Sequence, residues 1–285
     1  MELDQHFENL EGIIRKNQDP FVYLRNLPIG TVGALLLDIP SQYPLTRAFL
    51  PRMPADQVQI SWTGQSGSAL LAQSCAFARA VEVAYPKYTG RSLSNAKLLD
   101  YGCGWGRLIR LMYHFTAPEN IYACDPWQDS IELCRGQKLR AHFALCDYLP
   151  KEVPFPGLKF DLIYAFSVFT HLSERTANLV LSALRSTVFD HSLLVVTVRP
   201  RKYWELHDQA QNIVDRSAMI KMHDDHGFAF TPHGWTPIDG ELLYGDTSIS
   251  FDYIERQWTE WQLVGHEDLP ADPMQTIIFL RPRHF

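Results

Sequence analysis

Ten residues constrain this chain more than any others: Leu98-Leu99-Asp100-Tyr101-Gly102-Cys103-Gly104-Trp105-Gly106-Arg107. A short apolar run ends, three alternate glycines follow, and helical spacing begins. That is a strand, a tight turn and a helix. Glycine reaches backbone angles closed to other residues and lets a ligand approach the main chain. The N–H groups exposed where a helix starts favour an anion.

The same unit opens a repeating texture. Strands are predicted at 97–101, 120–125, 142–147, 160–166 and 192–198, with helices at 107–115, 130–138 and, capped by Ser173, 174–188. A helix near 252–261 and strands at 263–266 and 275–280 resume it near the end. Alternation at this spacing predicts a doubly wound α/β fold, a parallel sheet with helices on both faces.

The flanks read differently. Leu3, Phe7, Leu10 and Ile14 mark one face of an amphipathic helix, and Pro28, Pro40, Pro44, Pro51 and Pro54 then break regular structure. The polar turn Trp62-Thr63-Gly64-Gln65-Ser66-Gly67-Ser68 suits a helix cap, and the next helix carries Leu70, Phe77 and Val81 and ends before Pro86. We expect a helical lead-in or lid over 1–94 and a ligand-binding domain over 95–285. Past Pro200 the alternation lapses. A helix from Lys202 (Leu206, Ala210, Ile213) and strand-like runs at 228–231 and 242–244 mark an insertion at about 200–250, before the last helix. Its expected place is over the sheet's carboxyl edge, where open α/β sheets bind ligands.

Composition narrows the function classes. Of 285 residues, 46% are hydrophobic and 20% charged, which excludes a disordered chain. The net charge of −6 argues against binding nucleic acid through its phosphates. Cys75, Cys103, Cys124, Cys134 and Cys146 show no paired spacing, so a reducing compartment is expected, without disulfides or zinc. The acidic start Met1-Glu2-Leu3-Asp4-Gln5 is unlike a signal peptide, and no apolar run approaches the ~18 residues that cross a bilayer. The expectation is a soluble cytoplasmic protein with a small-molecule partner, engaging neither nucleic acid nor membrane. Oligomeric state is not encoded in any feature we recognise.

Two ligands compete for the glycine loop. A dinucleotide site uses G-x-G-x-x-G with a diphosphate on the helix start. Here the third glycine comes one residue early, and Asp100 precedes the first by two. A carboxylate repels a diphosphate but attracts an ammonium group, by ~4 kcal/mol at 4 Å for an effective dielectric near 20. The loop therefore suits a zwitterion, its carboxylate on backbone N–H groups and its ammonium near Asp100. The amino-acid end of S-adenosylmethionine is such a group. Asp125, at the second strand end, suits its ribose hydroxyls; Asp147, at the third, suits its adenine amine, with Cys146 and Tyr148 alongside. Trp127 would cover the adenine face.

Taken together, Asp100 to Gly106, Asp125, Asp147 and Phe166-Ser167-Val168-Phe169-Thr170-His171-Leu172 resemble a class I S-adenosylmethionine-dependent methyltransferase over about 95–200 and the terminal strands. The resemblance implies a seven-stranded, mostly parallel Rossmann-like sheet whose last strand is antiparallel. It places Asp100, Gly102 and Gly104 at the methionine end, Asp125 at the ribose and Asp147 at the adenine. Trp-Thr-Gly-x-Ser-Gly at 62–67 and Tyr-Gly-Asp-Thr at 244–247 also resemble bacterial small-molecule or sugar methyltransferases.

The remaining site candidates follow. Trp62, Ser66 and Gly67 either close over the methionine end or cap a helix around a core tryptophan. Arg107 reaches the cofactor carboxylate or is an exposed helix residue, and Phe166 joins the cofactor set. A hydroxyl acceptor needs a base, and imidazole titrates near the working pH. His171 after the fourth strand is the first candidate, against a packing role at the next helix. His226 in His223-Asp224-Asp225-His226-Gly227 is the second, against a bland cation at a helix C-terminus or, with His223, a metal site. In the insertion, Tyr203, Trp204, Phe230, His233, Trp235, Tyr244 and Asp246 suit a sugar or natural-product acceptor, or a small satellite core. O-methylation of a small molecule is the expected reaction. N-methylation, or a non-catalytic binding protein, is the alternative.

Overall fold

The computed structural model describes residues 2–206, 215–233, 237–270 and 272–283. The chain divides into two compact units, 1–145 and 146–285. The expected Ala210, Ile213 and Trp235 lie outside the described residues.

The first unit opens with six helices: α1 (Glu2–Arg15), α2 (Pro20–Arg25), α3 (Ile29–Leu37), α4 (Pro44–Phe49), α5 (Asp56–Thr63) and α6 (Gly67–Thr89). The amphipathic face of α1 buries Phe7 and Leu10 completely or nearly so. Asp19 caps α2 by accepting from the Phe21 N–H at 2.9 Å, with Pro20 just inside the helix start. Helix α6 runs past Pro86, one turn further than expected. Proline removes a single N–H there, and the helix closes only at Gly90, whose left-handed backbone (φ 70°) returns its N–H to the Pro86 carbonyl.

Three parallel strands follow: β1 (Leu98–Tyr101), β2 (Ile121–Asp125) and β3 (His142–Leu145), with Asp100 paired to Ala123 and Cys124 to Ala144. Helix α7 is only Ile109–Met112, shorter than the expected 107–115, because tight turns hold the chain on either side. Helix α8 (Gln128–Gly136) joins β2 to β3. Strand β3 stops at Leu145, so Cys146 and Asp147 lie beyond the strand and not in it.

The second unit holds β4 (Phe160–Ala165), α9 (Glu174–Arg185), β5 (Val188–Val198), α10 (Tyr203–Leu206), α11 (Arg216–His226), β6 (Phe228–Pro232), β7 (Gly245–Ile249), α12 (Phe251–Gln257), β8 (Trp261–Asp268) and β9 (Thr276–Pro282). Ser173 caps α9, as expected, accepting from the Thr176 N–H. Val188, expected as the tail of that helix, instead begins β5. An irregularity between Phe160 and Leu162 shifts the pairing from Val188 to Leu193, and so hides the early part of β5 from an alternation count.

Strand order in the seven-stranded sheet is β3-β2-β1-β4-β5-β9-β8. β9 runs antiparallel to both β5 and β8, which is the expected reversed last strand. β6 and β7 form a separate antiparallel pair in the insertion. Its second strand was expected at 242–244 but lies at 245–249. The run Asp246-Thr247-Ser248 is polar and reads as loop. Its hydroxyls are buried against partners, Thr247 donating to the Leu172 carbonyl at 2.6 Å. The hairpin lies beside the segments leaving the carboxyl ends of β4 and β5: Thr247 N–H donates to Thr170, Ile249 N–H to Arg199, and Ser173 N–H to Leu243. Tyr203, Trp204, Met219 and Ala229 form a satellite core beneath it. Among the described residues, no helix is long and apolar enough to cross a membrane.

Candidate functional site

In the first unit the site grows from the tip of β1. Asp100 is 3% exposed in the strand, and the chain then turns through Gly102, Gly104 and Gly106, all with positive φ. Two of these positions show why glycine is needed. A Cβ on Gly106 would lie 2.4 Å from Leu139 Cδ1 and 3.1 Å from Cys134 Sγ, so α8 packs where a side chain would go. A Cβ on Gly104 would meet only the Trp62 ring, at 3.6 Å, leaving a cradle open to a ligand.

The loop's N–H groups have internal partners. Gly102 and Cys103 donate to the Cys124 carbonyl (2.8 and 3.1 Å), Gly106 to the Cys103 carbonyl, and Gly104 to Asp125 Oδ2 at 2.9 Å. These glycines act through backbone shape and close approach.

Asp125 is shared in the same way. Its Oδ1 accepts from the Trp127 N–H (2.9 Å) and the Ser130 hydroxyl (3.0 Å). Burial raises its carboxyl above the usual range, while these three donors pull it down. A carboxylate has about four acceptor sites, so roughly one remains for a ligand hydroxyl.

Trp62 and Trp127, assigned to opposite ends of a ligand, are stacked on each other, ring centroids 4.7 Å apart and 14° from parallel. Trp127 remains 45% exposed. Ser66 is the N-cap of α6 by backbone position, its side chain making no capping bond, and Gly67 donates its N–H to Gln59 Oε1. Arg107 donates to Gln73 Oε1 at 2.7 Å, which ties the loop to α6. Sequence reasoning missed Arg110. It is 3% exposed, donates to the Gly106 carbonyl at 2.8 Å and to the Arg52 carbonyl, and lies over the Trp105 ring. Burial lowers its guanidinium to about 10. It braces the loop from beneath, and only its apolar spacing in a short helix could have pointed to it.

These residues fit the aminoacyl and ribose ends of S-adenosylmethionine: a buried acid at the strand tip, a Cβ-free cradle, an acid with one acceptor site left and an exposed indole.

The second unit holds the remaining candidates. Cys146 and Phe166 are buried (7% each), while Asp147 is exposed. His171 lies in a built cluster after β4. Its Nδ1 donates to the Gly245 carbonyl (2.7 Å), its Nε2 faces Arg199 Nη2 (3.4 Å), and its ring stacks on Tyr244 (4.9 Å, 9°). Burial, with the Arg199 charge, lowers its imidazole to about 3. Both ring nitrogens are thus engaged, which ties His171 to Gly245 and Arg199. Arg199 also donates to the Thr170 carbonyl and to Asp246 Oδ1, and lies over the Tyr203 ring at 4.2 Å. Asp246 Oδ2 meets His233 Nε2 at 3.2 Å. Burial raises the Asp246 carboxyl, but Arg199 and the His233 hydrogen bond outweigh it and hold the group below its usual range.

The insertion candidates separate. His233, Tyr244 and Asp246 join this cluster with His171, whereas Trp204 is wholly buried and donates to Ser248 Oγ. Arg199 was missed. Its signal is a cation directly after the pure β run Leu193–Val198. His226 is exposed at the end of α11, outside the cluster, and His223 is buried against Ser248 Oγ at 2.8 Å. Among the described residues, no group of three or more His, Cys, Asp or Glu side chains is placed to hold a metal.

Residues 98–188 match the family model described as a methyltransferase domain. No curated protein matches the sequence. Among solved structures, a protein from Pyrococcus horikoshii OT3 is similar at 15% identity and TM-score 0.50, covering 72% of this chain and 89% of that one. The magnesium protoporphyrin IX methyltransferase of Synechocystis, solved with SAH, gives 15% and 0.49 over 80% and 93%. A S-adenosylmethionine-dependent methyltransferase of Clostridium acetobutylicum gives 12% and 0.49 over 75% and 92%.

Proposed function

We propose that this chain is a class I S-adenosylmethionine-dependent methyltransferase that methylates a hydroxyl oxygen on a small molecule, a sugar or natural product, inside the cell; the match of residues 98–188 to a methyltransferase domain supports this reading. The observation that carries the cofactor half is the buried Asp100 at the tip of β1, directly before a loop with left-handed backbone at Gly102, Gly104 and Gly106. A buried acid there suits an ammonium group and repels a diphosphate. Asp100 and Asp125 would hold the aminoacyl and ribose ends, and Trp127 and Trp62 would cover the ligand. Bound there, the cofactor supplies an activated methyl on a sulfonium; the protein supplies orientation and exclusion of water.

The acceptor half rests on the second unit. The exposed Tyr244 ring offers an aromatic face to a sugar or a planar acceptor. Asp246 is already paired with Arg199, so its charge is spoken for, and that favours a neutral hydroxyl over an ammonium-bearing amine. The five cysteines are all free thiols, in keeping with a reducing compartment, and the acidic balance disfavours nucleic acid.

The test is a methyl-transfer screen with radiolabelled S-adenosylmethionine against monosaccharides, phenols and small amines. Methyl incorporation into hydroxyl acceptors is expected. Incorporation only into amines overturns the oxygen assignment, and silence from protein with verified bound cofactor overturns catalysis.

A further inference from the structure

We infer that the first unit binds a small monovalent anion, of chloride or short-carboxylate type, in the cavity beside Arg110, with the Arg110 guanidinium as its main partner. The inference concerns the first unit alone and stands whether or not a hydroxyl is the methyl acceptor. Among the described residues two arginines are buried, Arg110 and Arg199. Arg199 has a carboxylate, Asp246. Arg110 has none among the described residues. Its Nη1 donates to the carbonyls of Trp105 (3.4 Å) and Gly106 (2.8 Å), and its Nη2 to the carbonyl of Arg52. Its Nε finds no partner among the described residues. Burial lowers the group only to about 10, so it is a cation at neutral pH. A buried cation with no counter-charge is costly, and an unmade hydrogen bond adds to that cost.

The cavity suits the missing counter-charge. Leu36 of α3, Met53, Leu70 of α6 and Trp105 line it together with Arg107 and Arg110. No aspartate or glutamate is among its lining residues. Nor are Asp100, Gly104, Asp125, Trp62 and Trp127, so it is distinct from the cradle at the tip of β1. The Ser74 hydroxyl, also on the wall, donates to the Leu70 carbonyl at 2.8 Å. The groups left to attract a ligand are therefore the guanidiniums. The α3 wall is close-packed: a Cβ on Gly33 would lie 2.6 Å from Leu71 Cδ1 and 3.2 Å from Leu111 Cδ2. That limits the ligand to a few atoms. Leucine walls replace little of an ion's hydration, so a monoanion is favoured over sulfate or phosphate. The anion accepts from Arg110 Nε. It thereby steadies the guanidinium whose other nitrogens grip Gly106 in the loop and Arg52 in the lead-in.

The test uses the full chain in sulfate buffer and follows the NMR line of added chloride. Broadening by the wild type should saturate, and bromide should compete it away. Acetate added in a separate arm separates the two sources: competition by acetate supports a site open to carboxylates, and its failure beside competing bromide supports a halide site. Arg110→Met should lower chloride affinity at least about tenfold, through loss of a charge-assisted hydrogen bond. Leu37→Phe fills the cavity from α3 and keeps both guanidiniums, so it should weaken binding as much. It carries the test if Arg110→Met does not fold. At fixed ionic strength chloride should raise the Tm of the wild type and leave that of Leu37→Phe unmoved. Broadening that never saturates, or that is unchanged in either variant that folds, overturns the inference. Displacement of chloride by S-adenosylmethionine puts the anion in the cofactor cradle and overturns it as well.

Discussion

Gly104 donates its N–H to Asp125 Oδ2 across 2.9 Å, so the end of β2 fixes the shape of the loop that follows β1. The same carboxylate orders Trp127 and Ser130 at the start of α8. One side chain thus shapes the cradle and has about one acceptor site left for what lies in it. Asp125→Ala should leave buried donors unsatisfied at about 1–3 kcal/mol each. A fall in Tm of several degrees, together with cofactor binding at least tenfold weaker, is expected from thermal melts and calorimetry. Weaker binding without loss of Tm would mean that Asp125 serves the ligand alone.

Gly104 and Gly106 should respond differently to alanine. Both have positive φ, which costs a residue with a Cβ about 1–2 kcal/mol. At Gly104 the new methyl meets only the Trp62 ring at ordinary contact distance, so Gly104→Ala should fold and bind cofactor poorly. At Gly106 it collides with Leu139 and Cys134, so Gly106→Ala should lose about 3 kcal/mol or more and melt about 6–10 °C lower. Equal stability of the two variants would contradict the packing described for α8.

Acid should loosen the second unit through His171. Its imidazole sits at about 3 in the folded chain against 6.5 for the free group. Between those values the unfolded chain binds the proton and the folded chain does not, so stability falls as pH falls from 6.5 toward 3. This one group contributes at most ~1.4 kcal/mol per pH unit, less for the solvent that reaches its 18% exposed side chain. Denaturant melts at pH 7, 6, 5 and 4 should show a shallower slope in His171→Gln than in wild type.

How legible the fold was depended on the type of residue that carried it. Apolar runs such as Leu98–Tyr101 and Leu193–Val198 announced the central strands, and the alternate glycines announced the turn. Strand β7 stayed hidden because Asp246, Thr247 and Ser248 are polar residues buried against partners distant in sequence. The site was legible as an inventory and not as a wiring diagram. Asp125, Trp62 and Trp127 were named from the sequence, but their mutual contacts were not, since a ring stack or a shared carboxylate leaves no periodic trace. His171 was named for its position after β4. Only the structure shows its contacts with Gly245 and Arg199.

The central claim is that the crevice at the tip of β1 holds a zwitterion beside the buried Asp100. Isothermal titration of the full chain with S-adenosylmethionine, its demethylated product and NAD tests this most directly. Both sulfur compounds should bind, NAD should not, and Asp100→Ala should weaken the sulfur compounds at least tenfold. Binding of NAD, or no heat from either sulfur compound, would contradict the account.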